Sequence, residues 1–289
     1  MMMALLRLKD LAYTFPSSKT GIVNTRNEFE ESRKPMKDLF VSCLAVFFLV
    51  TQTVAGGECT APELICKAAA NQDRSLYFRD RCRYQQKIRV ERFKMKDGNE
   101  KNEELRETEV IVEPLDKPDK TGRTPVEVRV ILDTDKKGKP KSKVNEKERT
   151  LLSFGAVWDL VFFPLLPERI EFYSFLEVVS DRKNERWYRF VPRPDVTQTP
   201  LASGIVQLDP RTGEVLTIKI EGVHNVEQID KEASKLKTLN ATIDYSQYEG
   251  ILRMPTLASG GGVSGIRRFE GNFRFKFEEG KYRPVLKIE

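Results

Sequence analysis

Histidine is nearly absent from this chain of 289 residues, in which His224 is the single one. A serine or cysteine nucleophile is commonly activated by a neighbouring histidine, so any such arrangement would have to include His224. The segment around it, residues 221–225, offers no further support for catalysis. One histidine and a few scattered cysteines also lack the ligand spacing of a metal site. We therefore expect a protein that is not an enzyme and that needs no metal or cofactor.

Long hydrophobic runs are also missing. An uncharged, mostly apolar run, Leu39–Val50, has 12 residues, whereas a helix that spans a membrane needs about 20. Extending the run to Ala55 adds only Thr51, Gln52, Thr53 and Val54, which are half polar. Charged residues precede this run at Lys37 and Asp38, and small residues follow it around Ala55. This order is that of a secretory signal peptide. We predict a signal peptide over 36–55, cleavage near Ala55, and a protein that is periplasmic or secreted.

The segment 1–35 precedes the signal peptide and is polar, with mixed charge and no apolar period. Two interpretations remain open. Either the gene model begins too far upstream and Met36 is the initiator, or the segment is a disordered cytoplasmic tail in front of a membrane anchor. The rest of the chain, 56–289, is long enough for one large domain or two small ones, and we predict a single domain.

Cysteine is scarce as well. Cys59, Cys66 and Cys82 follow the signal peptide, an odd number for an oxidising compartment. A helix is predicted over Thr60–Gln72, with a strand after a turn near Arg74. Cys59 then lies about 22 Å back along the helix at roughly 1.5 Å per residue, and Cys82 about 26 Å forward along the strand at roughly 3.3 Å per residue. If the two elements pack side by side, we predict a Cys59–Cys82 disulfide and a buried thiol at Cys66.

The charge is high but nearly balanced, with 49 Lys and Arg against 43 Asp and Glu and a net charge of +6. A nucleic-acid-binding surface needs basic residues clustered on one face, and here they are spread along the chain, so no nucleic-acid partner is expected. The exception is Asp133–Arg149, a lysine-rich stretch without an apolar period. We interpret it as a solvated loop, with contact to lipid headgroups as the alternative. Any membrane contact would be peripheral.

Strand patterns dominate the rest of the chain. Several stretches alternate apolar and polar residues, which is typical of a strand with one buried face. These stretches are 76–90, 126–132, 216–220, 239–245 and 269–277. Turn sequences separate the strands, among them Asp97-Gly98 and Asp209–Gly213. Because such short connections join antiparallel neighbours, we predict a mainly antiparallel sheet.

The stretch Thr150–Val179 is rich in aromatic and aliphatic residues. Asp159, Pro164 and Pro167 interrupt it and rule out a membrane span. Two interpretations remain open: a helix with a short loop that fills the core beside the sheet, or an aromatic lid over an apolar cavity. The side chains that would line such a cavity are Phe154, Trp158, Phe162, Phe163, Phe172 and Phe175.

Gly260, Gly262 and Gly265 have the spacing of a dinucleotide-binding loop. That motif requires a preceding strand and a following helix, whereas a strand pattern follows here at 269–277. We interpret the glycines as a flexible loop between strands, and no cofactor is predicted.

Two short motifs carry a resemblance to a known family. The run Trp187–Pro192 and the hairpin Gly204–Val215, which has Asp-Pro and then Thr-Gly at its turn, resemble segments of the LolA-like lipoprotein-carrier proteins of bacterial envelopes. The export signal and the first helix agree with the same family. So does the long predicted strand within 76–90, whose polar face is mostly Arg and Lys. The resemblance implies an α+β fold, in which a curved, mainly antiparallel sheet forms an incomplete (half) β-barrel with a few helices covering the concave face. It also implies that Thr150–Val179 is a lid over acyl chains.

The function predicted is that of an exported, non-enzymatic binding protein, which holds a lipid, a lipoprotein acyl chain or another apolar ligand in the concave face. The alternative is a structural or protein–protein interaction domain of the cell envelope whose core is filled. The partner expected is a lipid or lipoprotein in the first case and an envelope protein in the second.

Overall fold

A computed structural model describes residues 59–115, 125–141, 155–179, 184–229, 233–265 and 270–286. The predicted N-terminal extension and signal peptide and part of the lysine-rich loop lie outside the described residues.

Helix α1 spans Glu63–Arg79. Ile65, Ala68 and Gln72 are buried at helical spacing, so one stripe of the helix faces the sheet. The helix continues past its predicted end at Gln72, because Phe78 extends the same buried stripe. The alternation that begins at Leu76 therefore belongs first to the helix and only later to a strand.

In the part of the chain that the structure describes, ten strands form one sheet, and all neighbouring strands in it are antiparallel. The strands are β1 (Cys82–Lys96), β2 (Asn99–Pro114), β3 (Val126–Asp133), β4 (Tyr173–Val178), β5 (Arg186–Pro192), β6 (Leu201–Leu208), β7 (Val215–His224), β8 (Leu236–Tyr248), β9 (Leu252–Ser264) and β10 (Gly271–Pro284). Their order across the sheet is β3-β2-β1-β10-β9-β8-β7-β6-β5-β4. Within the described residues β3 and β4 form two unpaired edges, so the predicted open half-barrel of class α+β is confirmed.

Two short helices follow β3 in the chain, α2 (Gly155–Phe162) and α3 (Pro167–Ile170). Single 3₁₀ turns at Val226–Gln228 and Ala233–Lys235 connect β7 to β8. Among the helices that the structure describes, none is both long enough and apolar enough to cross a membrane.

Strand register places rows of apolar side chains across the face that the helices cover, called the inner face below. In one row, Ile88 of β1 lies opposite Phe277 of β10, which lies opposite Ala258 of β9. The row continues through Ile243 of β8 to Ile218 of β7. All five side chains are buried. The centre of the inner face is therefore the main core of the protein.

Helices α1 and α2 fill this centre. Phe162 and Phe163 have no exposed surface and belong to the same cluster as the buried row. A second cluster forms nearer the α1–β1 junction, around Phe78, Tyr84 and Met254.

The glycine-rich segment is a strand, and the flexible loop predicted for it is wrong. Gly260 and Gly262 lie in β9, between β8 and β10. A Cβ atom at Gly260 would lie 2.0 Å from the carbonyl oxygen of Asn240, and one at Gly262 would lie 2.0 Å from that of Thr238. The neighbouring backbones approach so closely that only glycine fits. Close packing of strands, and not a turn, requires these residues.

The predicted Cys59–Cys82 disulfide is also wrong, because Cys59 pairs with Cys66, with 6.1 Å between their Cα atoms. The prediction placed Cys59 beside a helix that starts at Thr60, whereas α1 starts at Glu63. The residues between them bend back and bring Cys59 to the first turn of the helix. Cys82 is the buried free thiol, and burial raises its pKa to about 12.

The described part of the lysine-rich stretch, 133–141, folds against β2. The amide of Thr134 donates to the carbonyl oxygen of Glu107 at 3.0 Å. The carboxylate of Asp135 accepts from the amides of Lys137 and Lys139, at 2.8 and 3.0 Å. The two lysine side chains are exposed.

Candidate functional site

Helix α2 lies against the aromatic side chains of β10. The Trp158 ring is 5.0 Å from the Phe275 ring and 5.6 Å from the Phe277 ring. One turn further along, Phe162 is 4.7 Å from Phe277. Aromatic pairs at such distances stabilise a fold beyond the area that they bury. α2 therefore covers the rows of the inner face that contain these two phenylalanines.

Polar contacts hold the C-terminal end of α2. The hydroxyl of Tyr245 on β8 donates to the carbonyl oxygen of Phe162. Arg169 of α3 donates to the carbonyl oxygen of Phe163 at 2.9 Å. Carbonyl groups at a helix C-terminus have no partner within the helix, so these two side chains fix the position at which α2 ends.

A buried charged network joins α2 to α1 and β10. Arg79 donates two hydrogen bonds to Glu279, at 2.7 and 2.8 Å, and lies 3.5 Å from Asp159 of α2. Gln86 and Tyr282 donate further hydrogen bonds to Glu279 at 2.8 and 2.6 Å. Burial alone would lower the pKa of Arg79, but Glu279 above all raises it well above its ordinary value. Arg79 is therefore charged throughout the ordinary pH range.

One part of the inner face is covered less completely. Phe273 of β10 lies opposite Gly262 of β9. In the neighbouring row, Phe275 of β10 lies between Val90 of β1 and Gly260 of β9 and is opposite both. We call Val90, Gly260, Gly262 and Phe273 the apolar strip; all four are half-buried. The Phe273 ring is 6.4 Å from that of Phe275, which α2 covers, so α2 borders the strip on one side. The two glycines leave the floor of the strip without side chains.

The predicted cavity residues on and before α2 fall in different environments. Phe154 lies outside the described residues. Trp158 is half-buried and packs against the core, whereas Phe162 and Phe163 are part of the core itself. Contact between a ligand and these side chains remains a prediction.

The other two predicted residues lie near the opposite edge of the sheet. Phe175 of β4 lies opposite Phe190 of β5, and Phe172 immediately precedes the strand. Both Phe172 and Phe175 are half-buried against the same core as α2. The five described members of the predicted set are thus spread between two places, and no single pocket collects them within the described residues.

The apolar strip is not among the residues that the sequence singled out. A signal for it exists, since Phe273, Phe275 and Phe277 share one parity. The glycines were interpreted as a loop, however, and so could not be placed opposite those phenylalanines. The strip becomes visible only when Gly260 and Gly262 are recognised as part of β9.

A small cavity lies between α1 and the ends of β7, β8 and β9, with a volume of about 20 Å³. Its lining includes Gln72, Ser75, Tyr245 and Leu252. A space of this size holds about one water molecule, so it is not a site for a lipid.

His224 ends β7, next to β6. Its Nε2 atom lies 2.8 Å from the hydroxyl oxygen of Ser203, and burial lowers the pKa of His224. The ring is therefore neutral at neutral pH. The residues that the structure describes contain no group of three or more His, Cys, Asp and Glu side chains that could hold a metal ion.

No protein-family model and no curated protein matches the chain. Among solved structures, it is similar to a LolA superfamily protein from Nitrosomonas europaea, with 9% identity over 77% of this chain and 94% of that chain and a TM-score of 0.28. An outer membrane lipoprotein-sorting protein domain from Vibrio parahaemolyticus has 13% identity over 77% of this chain and 95% of its own, with a TM-score of 0.30.

The MucA/MucB complex of Pseudomonas aeruginosa is also similar, with 11% identity over 76% of this chain and 99% of the matched chain and a TM-score of 0.20. Identities and TM-scores as low as these carry no argument about ligand, partner or compartment. The open half-barrel fold is established by the sheet order and strand register described above.

Proposed function

We propose that this chain is an exported binding protein, which holds an apolar chain of a lipid or lipoprotein against its inner face and performs no chemistry. The observation that supports the proposal is the apolar strip, which leaves an aromatic ring, an aliphatic side chain and a glycine floor half-buried beside α2.

Burial of ligand surface on the strip would supply the affinity. Each Å² of apolar surface removed from water is worth about 25 cal/mol, from which the cost of immobilising the ligand is subtracted. The backbone of Gly260 and Gly262 is already paired with β8 and β10. A ligand can therefore cover this floor without leaving backbone groups unsatisfied.

The position of α2 would determine how much of the apolar inner face a ligand can contact. While Trp158 packs on Phe275 and Phe277, a ligand reaches the strip but not the covered rows. Movement of α2 away from the sheet would expose those two rings and enlarge the apolar surface. Such movement would break the 3.5 Å contact between Arg79 and Asp159.

A matched pair of variants tests the strip. Phe273→Ser removes a ring from it, whereas Phe93→Ser removes a ring on the outer face of the same sheet, where Arg274 lies 5.2 Å from its centroid. Titration with an uncharged fluorescent dye such as Nile red measures the dissociation constants. We expect wild type and Phe93→Ser to bind alike and Phe273→Ser to bind about ten-fold more weakly, which corresponds to roughly 1.4 kcal/mol.

Protein purified from its own cells provides a second measurement. Extraction with organic solvent and mass spectrometry should detect a co-purified lipid. The absence of both a co-purified lipid and dye binding would rule out the proposal.

Export is proposed together with the binding function. The Cys59–Cys66 disulfide supports it, because structural disulfides persist in oxidising compartments. N-terminal sequencing of protein from the periplasm or the medium is expected to begin near Gly56. A cytoplasmic chain that still carries residues 36–55 would contradict export.

The packed centre of the inner face favours a second candidate, an envelope domain with a structural or protein-binding role. Phe162 and Phe163 are fully buried there, whereas Leu176 of β4 and Val179 just after it are 66% and 94% exposed. A photoreactive amino acid placed at position 176 tests this candidate by crosslinking in intact cells. Recovery of one specific protein, with no lipid in the extract, would favour it.

A further inference from the structure

The apolar strip has a cationic border. Arg92 of β1 lies opposite Phe273, and Arg106 of β2 lies opposite Val90. Residues directly opposite one another in neighbouring strands point to the same face, with Cβ atoms about 4.5–5.5 Å apart. Two guanidinium groups therefore lie on the inner face, directly beside an apolar surface.

The two arginines share two carboxylates with a third cation, Lys94. Glu104 contacts Nε of Arg106 and lies 3.5 Å from Nε of Arg92. Glu103 lies 3.4 Å from Arg92 and 2.7 Å from Lys94. These contacts join three cations to two carboxylates, so the group carries one net positive charge.

Arg92 has an unused hydrogen-bond donor. One of its terminal nitrogens donates to the carbonyl oxygen of Glu270 at 3.1 Å. Its Nε atom is buried and has no hydrogen-bond acceptor among the described residues. That atom faces Glu104 at 3.5 Å and is closed to solvent, so a ligand would meet the exposed part of the side chain, which is 23% exposed as a whole.

We infer that the ligand is a single-chain amphiphile with an anionic head group, whose chain lies on the apolar strip and whose head group binds Arg92 and Arg106. This inference rests on the proposed function and adds the charge of the ligand to it. Strands are about 4.8 Å apart, so a chain that starts at Arg106 and crosses to Gly262 on β9 spans three strand spacings. Carboxylate and phosphate groups both match the planar donor pattern of arginine.

Three amphiphiles with the same chain separate the contribution of the head group. Dodecanoate, dodecyl phosphate and the uncharged dodecyl maltoside are titrated into wild-type protein below their micelle concentrations, with isothermal titration calorimetry as the readout. Both anionic ligands are expected to bind at least about ten-fold more tightly than the maltoside, and this advantage should shrink as salt is added. The tighter of the two identifies carboxylate or phosphate as the preferred head group.

Two variants with opposite expected effects on anionic binding keep the test from depending on a single substitution. Arg92→Gln is expected to weaken binding of the anionic ligands about ten-fold and leave the maltoside unchanged. Glu104→Gln removes a neutralising carboxylate and should strengthen anionic binding, so it tests the inference even if Arg92→Gln fails to fold. The control is Arg274→Gln, with the same charge change on the outer face, where Arg274 lies 2.7 Å from Glu91.

The possible failures are distinguishable. Equal affinity of wild type for all three amphiphiles, or equal effects of Arg92→Gln and Arg274→Gln, would overturn the head-group inference and leave the proposed function standing. No binding of any amphiphile would overturn both.

Discussion

At the scale of single residues, the Arg79–Glu279 pair is a deeply buried ion pair. Its side chains are 8% and 0% exposed, so both charges have lost most of their hydration. The desolvation penalty offsets much of the attraction in such a pair, but removal of one partner leaves an uncompensated buried charge. We infer that the network specifies how α1, α2 and β10 fit together.

Arg79→Met is expected to lower the free energy of unfolding by about 3–5 kcal/mol, because Glu279 is then buried without a counter-charge. Urea unfolding followed by circular dichroism measures the loss. The double variant with Glu279→Met should cost less than the sum of the single variants. Lys87→Met, which removes an outer-face contact to Glu107, is the control with little expected change. Additive losses in the double variant would contradict direct coupling.

His224 predicts a pH dependence of stability. Burial lowers its pKa below the ordinary value of 6.5, so between the folded and unfolded pKa values the unfolded chain binds more protons. Stability contributed by neutral His224 is therefore present above about pH 6.5 and is lost as the pH falls below it. The stability of wild type relative to His224→Asn should decrease between about pH 7.5 and 5.5 in urea unfolding. A constant difference over that range would show that His224 titrates alike in both states.

At the scale of elements, β9 shows how a strand can depend on missing side chains. Gly260→Ala would place Cβ 2.0 Å from the carbonyl oxygen of Asn240, so β8 and β9 must separate. We expect a loss of about 1–3 kcal/mol or more. Gly280→Ala on β10 is the matched control, since its Cβ meets nothing within 4 Å and the change should stay within about 0.5 kcal/mol. Equal melting temperatures of the two variants in thermal unfolding would contradict the close approach of β8 to β9 at Gly260.

The disulfide at the start of α1 can be assigned chemically. The tryptic peptide that ends at Lys67 contains both Cys59 and Cys66, so without reduction it should resist alkylation and carry two hydrogens fewer. Cys82 should be alkylated only after unfolding, because it is buried. Cys59→Ser is expected to cost about 2–3 kcal/mol from the short closed loop. A crosslinked peptide that contains Cys82 would contradict the assignment.

At the scale of the whole molecule, one sheet carries two hydrophobic clusters, and continuous strands such as β1 and β9 run through both. Met254 is fully buried in the second cluster, whereas Trp158 packs against the first and the other tryptophan, Trp187, lies in β5. Met254→Ala should lower the free energy of unfolding by about 2–5 kcal/mol. If the sheet unfolds as one unit, tryptophan fluorescence and circular dichroism must shift together.

Met95→Ala, at a side chain that is 57% exposed, is the control for this experiment and should change stability by less than about 0.5 kcal/mol. A Met254→Ala variant whose fluorescence midpoint stays at the wild-type value while circular dichroism shifts would show that the two clusters unfold separately.

The alternation of apolar and polar residues predicted much of the sheet, because a strand with one buried face has an apolar residue at every second position. Val126–Asp133, Val215–His224 and Leu236–Tyr248 each contain a predicted strand pattern. The same rule failed at Leu76 and Phe78, because α1 continues to Arg79 and the strand begins only at Cys82. It failed again at Gly260, because a glycine in a strand carries no side chain and therefore leaves no pattern.

The sequence by itself determined local properties: the parity of the strands, the tight turns between them and hence an antiparallel sheet with one apolar face. It also carried the resemblance to LolA-like proteins. Only the tertiary structure decided that Cys59 pairs with Cys66, that α2 fills the centre of the inner face, and that Arg92 lies beside Phe273. Each of these depends on a distance between segments, and such distances are set by strand register and by where a helix starts.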